Sequence, residues 1–310
     1  ITMISVVSLL ETSRKGMSMH AGMIPLSGRR EKCTGAAILI LSRRAPVAPG
    51  VRHRYGKRDD MAASYKKNSY YLIIGASGTI GAAVARGLAD ENVTLGLHYR
   101  SSGEAVEGLY KDLSSLGTAC VCLKSELASE DACEDLVGDF YDRYGFIDGL
   151  AICHGEVGWN LWKDLTWNDW NASFRQHCLV PYSLVKKTVS FMEKAGGGRI
   201  AYLSSIAPKY AGSPRSVHYA AAKGALEVMM KGVARDVSAL GIALNGVRAG
   251  FVLTPQQTKG RNPEEILERI KKIPVGRGGK PEEVASVFRY LMIDAPDFLT
   301  GEVIAVAGGD

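Results

Sequence analysis

Apolar positions fall into two rhythms along residues 70–310. Short continuous apolar runs predict buried strands at YYLIIG (70–75), VTLGLHY (93–99), TACVCLK (118–124), IDGLAICHG (147–155), GRIAYLSS (198–205), IALNGVR (242–248) and EVIAVAG (302–308). Between them, apolar residues recur three and four apart. That spacing predicts helices over 79–91, 102–117, 129–145, about 167–194 and 218–237, and two more near 263–272 and 281–293. Strands that alternate with helices and are apolar throughout predict an α/β fold, a doubly wound parallel sheet with helices on both faces. Ligands in such sheets bind outside the carboxyl ends of the strands.

Residues 1–68 follow neither rhythm. They are rich in Arg, Ser, Gly and Met. The net charge of +6 sits there: residues 1–60 hold 11 Lys/Arg against 4 Asp/Glu, whereas residues 61–310 hold 27 against 28. Three readings fit this segment: a transit peptide, a disordered basic arm, or sequence upstream of a natural start at Met61. The third fits best, because MAASYKKNSYYLIIGASG has the form of a beginning. Residues 1–68 are therefore expected to be a basic extension, disordered or non-native, and 69–310 a single domain. A nearly neutral body argues against a nucleic-acid partner. No apolar run approaches the roughly 18 residues of a membrane span. The six cysteines make no CxxC pair and no zinc-like spacing, which predicts a reducing, cytoplasmic setting and no metal.

The first strand ends in GASGTIG, which carries Gly75, Gly78 and Gly81 directly into a helix. That context is the one a dinucleotide turn requires. Gly75 permits the tight turn, Gly78 a close pyrophosphate and Gly81 close helix packing, with the helix N-terminus facing the phosphates. The second strand ends without an acid. Arg100 and Ser101 follow it, and they suit a ribose 2′-phosphate, so NADP(H) is expected rather than NAD(H).

Strand five ends in Ser204–Ser205, and Tyr219 and Lys223 follow four apart on one face of a helix. Hydride attack on a ketone builds negative charge on oxygen, so the site must donate a proton. A phenol with a free pKa of about 10 is a poor donor unless a neighbouring ammonium lowers that value. Tyr219 is the expected acid, Lys223 its acidifier, and Ser205 the hydrogen-bond partner of the carbonyl oxygen.

Here the chain resembles the short-chain dehydrogenase/reductase family, on GASGTIG, YLSS, YAAAK, IPVGRGGKPEEVA and LTGEVIAVAGG, over about residues 70–310. Within that family it is most similar to 3-oxoacyl-[acyl carrier protein] reductases of fatty acid biosynthesis. The resemblance implies a Rossmann fold with a seven-stranded sheet in the order 3-2-1-4-5-6-7. It also implies a homotetramer with the last strand near a subunit interface, and a catalytic set of Ser205, Tyr219 and Lys223. Implied cofactor contacts are Gly75, Ser77, Gly78, Ile80, Gly81, Arg100, Ser101, Gly155, Tyr219, Lys223, Val252 and Thr254.

The chain departs from the family pattern in informative places. Strand four ends in Ile152-Cys153-His154-Gly155 where the family has an Asn-Asn-Ala-Gly-like turn. His177 stands where the family's Asn completes a proton relay to the lysine, and is expected to relay in its place. Two arginines that grip an acidic carrier in the family fall here in EKAGGG and at Leu240. That weakens carrier-protein specificity and favours a free or CoA-linked ketone. The segment from Thr254 to Lys272 is expected to lie over the cofactor as a lid. The four tryptophans of EVGWNLWKDLTWNDW are expected to pack a subunit or substrate wall or, as the better fit, the core. The resulting expectation is an NADPH-dependent carbonyl reductase acting on a small-molecule or thioester-linked ketone. The alternative is a non-catalytic NADP(H) sensor on the same fold.

Overall fold

The computed structural model describes residues 68–258 and 262–310. The expected extension lies, up to residue 67, outside the described residues. Seven strands form one parallel sheet: β1 (Ser69–Ile74), β2 (Val93–Tyr99), β3 (Ala119–Lys124), β4 (Gly149–Ile152), β5 (Gly198–Ser205), β6 (Ile242–Ala249) and β7 (Val303–Val306). Their order is β3-β2-β1-β4-β5-β6-β7, every pair parallel.

Alternate side chains of β1 feed two different cores, as the two-residue strand period requires. Tyr71 and Ile73 join one with Val84 of α1 (Thr79–Gly87), Leu88 just after it, and Phe288 of α9 (Pro281–Arg289). Leu72 and Ile74 join the other. There they meet Phe140 of α3 (Glu130–Tyr144), Leu184 of α5 (Val180–Ala195), and Leu226 and Met230 of α6 (Val217–Val237). Both faces of the sheet are therefore buried, which explains why its strands read as unbroken apolar runs. The remaining helices are α2 (Gly103–Ser115), α4 (Trp167–Phe174), α7 (Pro255–Thr258) and α8 (Pro263–Lys271).

Helix ends carry local signals. The Ser129 hydroxyl accepts from Ala132 N at 3.2 Å to open α3, and Gly145 closes it in the left-handed conformation. Thr166 and Asp169 form a capping box at the start of α4.

The structure corrects the elements in three places. The helix expected over 79–91 ends at Gly87. The one expected over 167–194 is interrupted by a π-helical turn, Arg175–Leu179, between α4 and α5. The last helix also ends in such a turn, Tyr290–Asp294. Of the expected lid, residues 259–261 lie outside the described residues, and α7 and α8 flank them.

The tryptophans are not core residues. Trp162 and Trp167 are 64% and 80% exposed. Trp159 lines a cleft, and Trp170 stands edge-on to His218 at 6.3 Å. Trp159 and Trp162 lie on the connection between β4 and α4, and Trp167 opens α4 at the surface.

Candidate active site

β1 pairs with β2 on one side and with β4 on the other, so the chain winds away in both directions from the carboxyl end of β1. A cleft of about 860 Å³ opens at this switch point. It is lined by Gly75, Ser77, Gly78, Ile80, Arg100, Ser101, Gly155, Ser205, Tyr219, Lys223, Val252 and Thr254. Of the catalytic and cofactor-binding residues expected from the sequence, only Gly81 and His177 are not among its lining.

Gly81 lies behind the turn, where a Cβ would come within 2.1 Å of the Gly75 carbonyl oxygen. Gly75 has φ +80, and a Cβ on it would lie 2.9 Å from the His154 backbone. The first turn of α1 holds no acid, and its N-cap Gly78 offers no side chain. Its amides therefore face the cleft unopposed. This cradle, which side chains would fill, fits the pyrophosphate of a dinucleotide.

His98 holds the turn in place. Its Nδ1 accepts from Gly75 N at 3.1 Å, and its Nε2–H donates to the Ser125 carbonyl at 3.0 Å. Burial pushes its pKa down to about 4, so it stays neutral and keeps this tautomer. Arg100, after β2, pairs with Glu156 at 3.0 Å.

Gly155 has φ +128, and a Cβ there would meet the His177 ring at 2.6 Å. His177 sits in the π-turn, a distortion frequent at functional sites. Its Nε2–H donates to the Glu156 carbonyl at 3.0 Å, and Nδ1 has no hydrogen-bond partner among the described residues. The ring stands edge-on to Tyr219, centroids 4.9 Å apart. Burial, with Lys223 adding to it, pushes its pKa down to about 2. His154, in the β4 turn, is likewise pushed down to about 3 by burial and by Lys223. The Gln176 backbone favours its proton slightly, but neither ring nitrogen completes a hydrogen bond among the described residues.

At the end of β5 the Ser205 hydroxyl accepts from Ala207 N at 3.1 Å and is hydrogen-bonded to Tyr219. Lys223 is 4% exposed and donates to the Leu203 carbonyl at 2.7 Å. Its Nζ lies 6.0 Å from the Tyr219 ring centroid. Burial lowers its pKa to about 8. The expected acidification of Tyr219 is not what the free protein shows: burial raises the phenol, and the Ser205 hydrogen bond opposes that. The reason is geometric, since the ammonium is aimed at a carbonyl rather than at the phenol. A protonated phenol beside a hydroxyl and an ammonium can donate a proton to an oxygen placed between them.

His98, His154 and Glu156 were not legible as site residues from the sequence. The signals were their positions, two before Arg100 and either side of Gly155. Among the described residues no group of three or more His, Cys, Asp or Glu is placed to hold a metal ion.

A family model described as "Enoyl-(Acyl carrier protein) reductase" matches residues 75–310. A 3-oxoacyl-[acyl-carrier-protein] reductase of Synechocystis sp. is 30% identical over 239 residues, which is 77% of this chain and 95% of that protein. One of Thermotoga maritima is 31% identical over 77% of this chain and 96% of its own. A 3-oxoacyl (acyl-carrier-protein) reductase structure from Agrobacterium tumefaciens, with NADP bound, superposes with a TM-score of 0.73. It is 26% identical and covers 79% of this chain and 95% of its own. The sheet order, the glycine turn at its switch point and these matches over most of residues 75–310 lead to one conclusion: the chain is an oxidoreductase of the short-chain dehydrogenase/reductase family.

Proposed function

We propose that the chain is an NADP(H)-dependent carbonyl reductase. Residues 69–310 act as one catalytic domain that reduces a 3-oxoacyl thioester or a related ketone to the hydroxy product. The observation that carries this reading is that Ser205, Tyr219 and Lys223 line the same cleft as the uncapped glycine turn. Bound nicotinamide supplies the hydride. The chain's own groups do the rest. Ser205 hydrogen-bonds the carbonyl oxygen, and Tyr219 delivers a proton to it from its phenolic oxygen. Lys223 supplies positive charge as that proton leaves, which favours the phenolate. His177 stays neutral, so its part in a relay is that of a hydrogen-bond acceptor through Nδ1 rather than of an acid. Gly75, Ser77, Gly78 and Ile80 hold the pyrophosphate end, with Gly81 packing behind them. Arg100 and Ser101 hold the 2′-phosphate, and Gly155, Val252 and Thr254 line the path of the ribose and nicotinamide.

The relatives' names point to carrier-linked substrates. The absence of arginine at Leu240 and in EKAGGG favours a free or CoA-linked ketone instead. NADPH oxidation over β-ketoacyl thioesters, simple ketones and quinones tests both. Tyr219→Phe is expected to lose turnover on every active substrate while binding NADPH nearly as the parent does. Retained turnover would refute the assignment.

A further inference from the structure

An acid is missing from the end of β2, yet one arrives there from another strand. Glu156 follows the β4 turn, and its carboxylate meets the Arg100 guanidinium at 3.0 Å. Both side chains line the cleft, and both are more than half exposed, at 53% and 69%. The backbone beneath Glu156 is fixed. Gly155 takes φ +128 against the His177 ring, and His177 Nε2–H clasps the Glu156 carbonyl at 3.0 Å. A residue so anchored presents its side chain at a defined place rather than sweeping the surface.

This bears on the cofactor and rests on the reading of the cleft as an NADP(H) site. A 2′-phosphate needs the fork of Arg100, which Glu156 already engages. A ribose 2′-hydroxyl needs an acceptor, and a carboxylate at that end of the cleft supplies one. We propose that Glu156 is a cofactor-selectivity residue. It competes with the 2′-phosphate for Arg100 and accepts from a 2′-hydroxyl, so that the chain takes both NADPH and NADH with only a narrow preference for NADPH. With NADPH the carboxylate yields Arg100 to the stronger, doubly charged anion. With NADH the Arg100–Glu156 pair stays closed.

The test measures Kd by calorimetry for NADPH, NADH, adenosine 2′,5′-bisphosphate and AMP, on the parent protein, Glu156→Gln and Glu156→Ala. The last two probes isolate the adenosine end. The parent is expected to prefer NADPH over NADH by less than about tenfold. An exposed ion pair of this kind is weak, so in Glu156→Gln the Kd values of NADPH and of the bisphosphate should fall roughly fivefold. NADH and AMP should bind no better, which widens the preference. Glu156→Ala should follow in the same direction, and both variants should melt with the parent because the pair is exposed. A preference unchanged within twofold in both variants overturns the inference. So does an equal gain for NADPH and NADH, which would mean a general effect of charge. Failure of all four probes to bind the parent would overturn the cofactor reading itself, and this inference with it.

Discussion

Lys223 shows how one side chain ties stability to chemistry. Its pKa falls from 10.5 to about 8 because burial disfavours the ammonium. Between those values the unfolded chain holds a proton that the folded one has lost. Stability contributed by this group therefore rises with pH across the window from about 8 to 10.5, and below about 8 the folded protein carries the whole cost of the buried charge. The shift corresponds to a cost of order 3 kcal/mol. Lys223→Met removes that charge. Its stability relative to the parent, read from urea midpoints, should be highest at pH 7 and should decline toward pH 10.5. A difference that stays flat across the window would show that the lysine is not buried as charge. Turnover should be lost at every pH. The same residue scale explains what spacing alone gets right and wrong about Tyr219 and Lys223. A separation of four puts them on one helical face, but it does not say where the ammonium is aimed, and the Leu203 carbonyl lies on a different element.

At the scale of elements, glycines separate packing from propensity. Gly81 lies in α1, where a Cβ would sit 2.1 Å from one backbone oxygen and 2.8 Å from the carbonyl carbon of Gly75. Gly81→Ala must push α1 away from the turn, at a cost of about 1–3 kcal/mol, and should weaken NADPH binding. Gly138 lies in α3 with nothing within 4 Å of its Cβ position. Gly138→Ala should instead stabilise by about 0.5–1 kcal/mol, because alanine is the better helix former, and should leave binding unchanged. Urea titration and NADPH calorimetry on the two variants read both effects, and opposite signs are the expected result. The strands were legible because a sheet buried on both faces writes itself as apolar runs. The glycine turn and the Ser–Tyr–Lys set were legible because their spacing is local. The π-turn that carries His177 was not. One extra residue in a helical turn leaves the apolar periodicity nearly unchanged, so residues 167–194 read as a single helix. Glu156 and His98 were hidden for a related reason. Each takes its role from a partner more than 20 residues away, Glu156 with Arg100 and His98 with Gly75.

At the scale of the whole molecule, β7 is the open question that the fold itself raises. Among the described residues it pairs only with β6 and so forms an edge of the sheet. None of its four residues is fully buried, although all are apolar, and Ala305 is exposed. Phe298, which shortly precedes it, is 99% exposed. An apolar edge strand left to solvent invites pairing with other chains, and proteins commonly cover such edges. A nearly neutral body, with 27 Lys/Arg against 28 Asp/Glu over residues 61–310, adds little electrostatic repulsion to keep copies apart. The homotetramer expected from the family resemblance accounts for both observations if one of its interfaces covers β7 and Phe298. Sedimentation velocity at micromolar concentration should then give a tetramer. A closed tetramer with dihedral symmetry falls to dimers when one class of interface is lost. Phe298→Asp places a charge in the middle of the apolar surface and should leave dimers that melt at a lower temperature, with the fold retained by circular dichroism. A parent chain that sediments as a monomer would remove the tetramer. A Phe298→Asp variant that stays tetrameric would move the interface away from this edge.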